Sequence, residues 1–442
     1  MSKFALLFLM IFFGGIIATL TYSGSSAFIL YQLLYFLNPD SRWWSASIPG
    51  LSYSFISATL MLLALGVSYS RYSAMSPWKA QPIFKWMVLL LLSYYLVYAF
   101  ALDLAIHQRF TYDFTKSIVI VLVAYKLVHS ERLLHASIWA YLVGATYIGY
   151  LATITGRNSG DRVEGIGLVD APDANGVAAA LVPAAALLMY YAWLGNKKVK
   201  LLCVFCGALI ANGLVLINSR GAFLGGVVGG GAFLFIMMFS KYRQKGQRGM
   251  AILIAVVSLG GALYVADDAF WERMQTLENP EDQAASGSHR VKFWLATLDV
   301  VEDHPMGVGV QGFNRLAEFY LGEEYKNKSV HSLWFQGLSE VGWLGLAFFL
   351  IMLSSLYRLS KKTRQWVLQE NATQTYFKIR ALECALVSYL VAGSFINSFR
   401  AEILFWMILL LAVAINIHYL RARGSEKTIR MTKYGERSAA AQ

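Results

Sequence analysis

Apolar runs of about 20 residues recur along almost the whole chain, and each is long enough to cross ~30 Å of hydrocarbon. Inside hydrocarbon every backbone N–H and C=O must pair within the protein, which leaves only helices or a closed barrel. A barrel would show segments of ~10 residues with alternating polarity, and the runs here do not alternate. They fall at about 4–20, 25–37, 51–69, 86–102, 115–128, 134–154, 174–194, 199–217, 221–240, 250–266, 331–357, 381–398 and 401–420. Only 14% of the 442 residues are charged, against about 25% in a soluble domain. A soluble enzyme, a disordered chain and a disulfide scaffold are thereby excluded. The expected fold is all-α: a polytopic membrane protein of 12–13 transmembrane helices. Residues 1–420 form one transmembrane domain with the loop 267–330 inserted, and 421–442 form a basic tail.

The formal net charge of +12 is unevenly placed. Basic residues gather between runs, at Arg71, Lys79 and Lys85, at Lys197, Lys198 and Lys200, and at Lys241, Arg243, Lys245 and Arg248. They gather again at Arg358, Lys361, Lys362 and Arg364, and at Arg421, Arg423, Lys427 and Arg430. The loop 267–330 reads the other way, with twelve acids and six bases. The positive-inside rule puts the basic loops and the tail in the cytoplasm and 267–330 outside. The basic excess therefore reflects topology and contact with lipid, and no nucleic-acid partner is expected. Thirteen spans place the N-terminus outside and twelve place it inside; both counts stay open. The first run is read as an uncleaved span because a second follows at once. Cys203 and Cys206 form a CxxC inside an apolar run with no second pair, so they read as small apolar filler.

The long loop has its own pattern. Ser286 or Ser288 can cap a helix running to about Asp303, with Val291, Trp294, Leu295, Leu298 and Val301 on one face. His304–Pro305 ends it, and Gly307, Gly309 and Gly312 follow. Such a helix lies over the outer ends of the bundle, with its apolar face on protein or at the interface.

Ionisable groups near membrane depth are costly and point to function. Arg220 sits at an outer turn against the positive-inside bias; it is either an interfacial anchor or a ligand contact. Arg290 opens the loop helix, where a cation opposes the helix dipole unless an anion shares the site. Pairing with a loop acid is the plainer alternative. His331 opens a long apolar run, and a helix N-terminus favours the neutral ring. It is either a cap or a proton acceptor. All three map to one side. Two guanidiniums suit a diphosphate, because their planar forks bind phosphate oxygens in pairs. A neutral imidazole suits deprotonation of a hydroxyl. Arg162 is a further phosphate contact, Asp173 and Asn175 are candidate caps, and Arg400 is either a substrate contact or a partner of Glu402. The acids of 161–173 match no ligand template, so no metal and no cofactor is expected.

Four motifs occur in order: Arg162 followed by Pro172-Asp173-Ala174-Asn175; Ser219-Arg220-Gly221-Ala222; Arg290-Val291-Lys292-Phe293-Trp294 followed by His304-Pro305-Met306-Gly307-Val308-Gly309; and His331-Ser332-Leu333 through Glu340-Val341-Gly342. In this order they resemble the O-antigen ligase and polymerase superfamily of bacterial envelope glycan assembly. The departures are an interrupted Pro-Asn pair and Ser332 where Asn is usual. Asn38-Pro39 and Arg42-Trp43-Trp44 look most like the exosortase-associated O-glycosylation ligase branch. The resemblance implies an inverting, metal-independent glycosyltransferase in the bacterial inner membrane, with its active site facing the periplasm. Its donor would be a glycan on undecaprenyl diphosphate, and its acceptor a lipid-core, protein or glycan hydroxyl. Arg220 and Arg290 would hold the diphosphate, with Arg162, Asn175 and Arg400 as further substrate contacts, and His331 would activate the acceptor. Two alternatives remain. A polymerase would join repeat units on the carrier, yet neither Arg162 nor Arg290 has Gly eleven residues on. A transporter without chemistry would show charged or broken midplane helices and an internal repeat.

A cysteine placed in 290–330 is expected to react with an impermeant maleimide from outside the cell, and one at 243 from the cytoplasm only. Labelling of the loop from the cytoplasm would reverse the orientation.

Overall fold

The computed structural model describes residues 2–275 and 288–424. The described chain is helical, without β-strands; a lone bridge joins Ser159 and Arg162. In chain order the helices are α1 (Lys3–Thr21), α2 (Ser26–Leu37), α3 (Tyr53–Val67), α4 (Tyr69–Met75), α5 (Ile83–Leu96) and α6 (Leu104–Leu127). Next come α7 (Glu131–Thr155), α8 (Ala174–Leu181), α9 (Ala184–Leu194), α10 (Lys197–Ile217), α11 (Arg220–Phe239) and α12 (Gln247–Val265). The last six are α13 (Asp268–Gln275), α14 (Ser288–Asp303), α15 (Gly312–Leu321), α16 (Leu333–Gln369), α17 (Thr373–Gly393) and α18 (Glu402–Ile415). Ser286 and nearly all of the tail 421–442 lie outside the described residues.

This is an all-α, multi-pass membrane protein. Among the described residues eight helices are long and apolar enough to cross a membrane, or nine if α3 and its continuation, bent by 87°, make one span. The 12–13 apolar runs do not each become such a helix. The run 25–37 makes only the 12 residues of α2, and 86–102 is helical mainly through the short α5, which stops at Leu96. α6 carries Arg109, Asp113, Lys116 and Lys126, while α17 carries Lys378, Arg380 and Glu383.

α18 is apolar on every side, and a helix of that kind belongs in a core. Residues 403–415 are all buried. Trp406 meets the rings of Phe28, Tyr35 and Phe36 from α2, and Phe405 meets Phe114 from α6. The glycines of α11 permit a close approach to α17, as is common between membrane helices. A Cβ on Gly225 would stand 2.6 Å from the Ser388 carbonyl oxygen, and the Ser388 hydroxyl donates to the Gly225 carbonyl at 2.8 Å.

The long loop is fastened to the bundle by its glycine-rich turn. Val308 N–H donates to the Ser339 carbonyl at 2.8 Å, and Gly309 N–H to the Glu340 carbonyl at 3.1 Å. Trp343 N–H donates back to the Pro305 carbonyl at 3.2 Å. α16 accepts this crossing because it is kinked at Gly342, whose φ is +62°. A Cβ there would lie 2.2 Å from the Pro305 oxygen, so no larger residue fits. His107 holds the other side of the turn: its Nδ1 accepts from Val310 N–H at 3.1 Å. Its Nε2–H therefore donates to the Tyr94 carbonyl at 2.8 Å.

Beneath the kink lies a buried ion pair. Arg400 donates from Nε and Nη2 to both oxygens of Glu340, at 3.0 and 3.1 Å. Tyr94 Oη and Gln336 Nε2 donate to the same carboxylate at 2.7 and 2.8 Å. Glu402 does not pair with Arg400 as one sequence reading expected. It accepts from Tyr31 Oη, while its backbone N–H donates to Asp170 at 2.6 Å.

α14 forms where expected, but its faces divide differently. Phe293, Ala296, Thr297, Val300 and Val301 are buried, with Trp294 half-buried, whereas Val291, Leu295 and Leu298 are exposed among the described residues. The helix sits on α15 and α16, so its inner stripe is set by those neighbours rather than by its most apolar edge.

Glu340→Ala is expected to lower stability by about 3–5 kcal/mol, because it leaves Arg400 buried without its counter-ion. Gly342→Ala should cost at least ~1–3 kcal/mol from backbone strain alone. Thermal unfolding of the detergent-purified protein checks both; a variant melting with the wild type would contradict the packing described.

Candidate active site

The sequence candidates meet at the end of the bundle where α10 turns into α11. Asn218 closes α10 in the left-handed conformation, at φ +56° and ψ +53°. Its buried amide donates to the Asp161 carbonyl at 3.4 Å and to the Ala269 carbonyl at 3.2 Å. Arg220 follows as the first residue of α11. The loop before α8 docks on this turn through Arg162. That guanidinium donates from Nε to the Ile217 carbonyl at 3.2 Å and from Nη2 to Asn175 Oδ1 at 2.8 Å. Asn175 is thus the holder of Arg162. The cap of α8 is Asp173, which accepts from the N–H groups of Asn175 and Gly176.

α13 closes over the turn. Phe270 packs edge-on against Phe223, and Arg157 pairs with Asp267. Arg273 donates to Asp161 Oδ2 at 2.8 Å. Arg273 was not among the sequence candidates. The available signal was a base standing alone between aromatic residues and acids, but no motif pointed to it.

Arg290 enters from the first turn of α14. Burial comes first, then repulsion from Arg220, Arg273 and Arg162, in holding Arg290 below the usual arginine range. Burial and then Arg273 do the same to Arg162. Arginine stays protonated throughout the physiological range. The four guanidiniums therefore share one field.

His331 stands beside them with a backbone φ of +53°, a conformation uncommon for a non-glycine residue. Its N–H donates to Asn397 Oδ1 at 2.9 Å, which holds the strained turn. Its Nε2 lies 3.2 Å from the Ser329 hydroxyl. Burial lowers its pKa from the ordinary 6.5; Arg290 adds to that and Asp173 opposes it. The neutral ring expected from the helix N-terminus is thus favoured by desolvation and a neighbouring guanidinium. Trp294, one turn after Arg290, stacks on Phe335 at 5.6 Å and meets Phe395, whose side chain touches Gly221. These rings join the supports of Arg220, Arg290 and His331.

Arg400 is not part of the cluster, since its guanidinium is committed to Glu340. Among the described residues no three His, Cys, Asp or Glu side chains stand together as a ligand set for a metal ion.

Residues 205–350 match the family model of the O-antigen ligases. The match supports the superfamily resemblance carried by the motifs, and with it a function of the O-antigen ligase or polymerase type. It also supports a glycosyltransferase-like activity on lipid-linked glycans in general. The matched segment contains Arg220, Arg273, Arg290 and His331, while Arg162 and Asn175 come from outside it. No curated protein matches the chain.

His331 is expected to stay reactive toward diethylpyrocarbonate below pH 6.5, because only the neutral ring reacts and its pKa is lowered. Lys328 also lowers it, so Lys328→Gln should move the midpoint to higher pH. Peptide mass spectrometry across a pH series checks both shifts.

Proposed function

We propose that the chain transfers a glycan from undecaprenyl diphosphate to an acceptor hydroxyl on the periplasmic face, with inversion and without a metal ion. The observation that carries this reading is the gathering of Arg162, Arg220, Arg273 and Arg290 beside a histidine biased to its neutral form. A diphosphate brings the negative charge that such a cluster favours, and planar guanidiniums bind it through paired hydrogen bonds.

In the proposed step the acceptor oxygen attacks the anomeric carbon from the face opposite the diphosphate. The C1–O bond to phosphate breaks, and its electron pair leaves with undecaprenyl diphosphate. The acceptor proton passes to His331 Nε2, where the Ser329 hydroxyl now sits. Arg220 and Arg290 stabilise the charge as it grows on the leaving oxygen, the moment at which a preset cation is most effective. Charge stabilisation by guanidinium takes the place a divalent cation holds in other transferases. Residues 1–420 act as one transmembrane domain, with 267–330 as its periplasmic insertion.

Purified protein reconstituted with undecaprenyl-diphosphate-linked glycan and an acceptor is expected to yield glycosylated acceptor, read by mass. Longer glycan on the carrier alone would identify a polymerase instead. Arg220→Ala and Arg290→Ala should each lower turnover by roughly 10²–10³ while the protein remains in the membrane. His331→Ala should lower kcat by roughly 10²–10⁴ with donor binding retained. Near-normal turnover in either arginine variant would sink the diphosphate clamp. Activity should survive chelator; loss restored by Mg2+ would overturn the metal-independent step.

A further inference from the structure

A second cation site lies at the other end of the bundle, where the glycan chemistry has no use for it. α16 begins beside His331 and runs for 37 residues. At ~1.5 Å per residue, Lys361 is roughly 40 Å further along its path. There a cavity of about 320 Å³ opens between the end of α16, the start of α17 and the segment following α11. Its walls include Tyr242, Tyr357, Lys361, Arg364, Tyr376 and Arg380.

Two of the three cations are fixed in place. Arg364 is only 8% exposed, and its Nε lies 3.0 Å from Glu383 Oε1. Arg380 Nη1 lies 3.0 Å from Glu383 Oε2, and Nε donates to Tyr376 Oη at 3.2 Å. Ser360 donates to Glu383 Oε1 at 2.6 Å and holds the carboxylate behind them. One carboxylate thus serves two guanidiniums, and Lys361 adds a third cation at the exposed rim. Three positive groups against one negative leave a formal charge of +2. Tyr242 packs against Tyr376 at 5.5 Å, so the walls are aromatic as well as basic.

The surroundings indicate where a ligand would come from. Phe235 and Phe239, at the end of α11, are exposed, as are Leu350 and Tyr357 on one face of α16. This apolar surface leads from the cavity along the sides of the bundle. Tyrosines and basic side chains at the end of an apolar surface mark the level of lipid headgroups. Basic pockets between helices at that level bind anionic headgroups. We propose that this cavity binds the phosphate of an anionic glycerophospholipid, in the leaflet opposite the four-arginine cluster. Arg364 and Arg380 hold the phosphate oxygens, Lys361 closes the rim, and the acyl chains lie along α11 and α16.

The test is native mass spectrometry of the full chain in detergent, titrated with phosphatidylglycerol, phosphatidylcholine or inorganic phosphate. The wild type is expected to retain phosphatidylglycerol and to release phosphatidylcholine. Each cation near a headgroup contributes ~1 kcal/mol, and 1.4 kcal/mol is tenfold in affinity. The double variant Lys361→Gln/Arg380→Gln should therefore bind phosphatidylglycerol roughly thirtyfold more weakly. Lys361→Gln alone, at an exposed side chain that leaves the Glu383 contacts intact, should bind about fivefold more weakly. Equal retention of both lipids, or unchanged phosphatidylglycerol binding in Lys361→Gln, would overturn the proposal. Displacement of phosphatidylglycerol by millimolar inorganic phosphate would assign the site to a soluble phosphate and overturn the lipid assignment.

Discussion

The crossing of the 305–309 turn over the kink of α16 is the constraint on which the rest of this end of the protein depends. Three backbone hydrogen bonds tie the turn to residues 339–343. They form only because Gly342 is left-handed and leaves room for the Pro305 carbonyl. The Glu340–Arg400 pair locks the layer beneath by joining α16 to the segment between α17 and α18. Backbone at membrane depth tolerates such a break only where protein covers it. The loop supplies that cover and is itself aimed by it: α14, which carries Arg290, is set by where its C-terminal end meets α16.

A second consequence concerns charge. Gathering guanidiniums in a half-buried site costs energy through desolvation and mutual repulsion. The protein offsets part of that cost locally. Asp161 accepts from Arg273, Asn175 and the Ile217 carbonyl accept from Arg162, and Asp267 accepts from Arg157. These contacts orient the cations toward one another's field. Three acids of the 161–173 loop, which match no metal-ligand template in the sequence, serve as hydrogen-bond acceptors within the fold. Asp161 holds Arg273, Asp173 caps α8, and Asp170 accepts from Tyr35 at 2.5 Å.

The two ends of α16 thus present two kinds of basic site. At the start, arginines from four separate segments converge beside a strained histidine. At the far end, two arginines share one carboxylate among tyrosines at the edge of an apolar surface. The two arms of α16, joined at the Gly342 kink, connect them.

Sequence alone determined that the chain is a helical membrane protein, because run length and the scarcity of charge admit no other solution in hydrocarbon. It also grouped Arg220, Arg290 and His331 as candidates through the alternation of basic and acidic loops, and the fold brings Arg220 and His331 beside Arg290. The glycines at 307, 309 and 342 were legible as motif letters, though not as the two halves of one contact. Tertiary structure decided what local pattern cannot carry. Arg273 joins the cluster through Asp161, 112 residues away. Arg400 takes Glu340 rather than its near neighbour Glu402. α14 buries Phe293 and Val300 rather than Leu295 and Leu298, because α15 and α16 already occupy that side. Some apolar runs fall short of a long apolar helix because they are short, as in α2 and α5, or carry charge, as in α6 and α17. Periodicity and hydropathy report how each segment meets its medium; which segments meet one another depends on contacts between residues far apart in the chain.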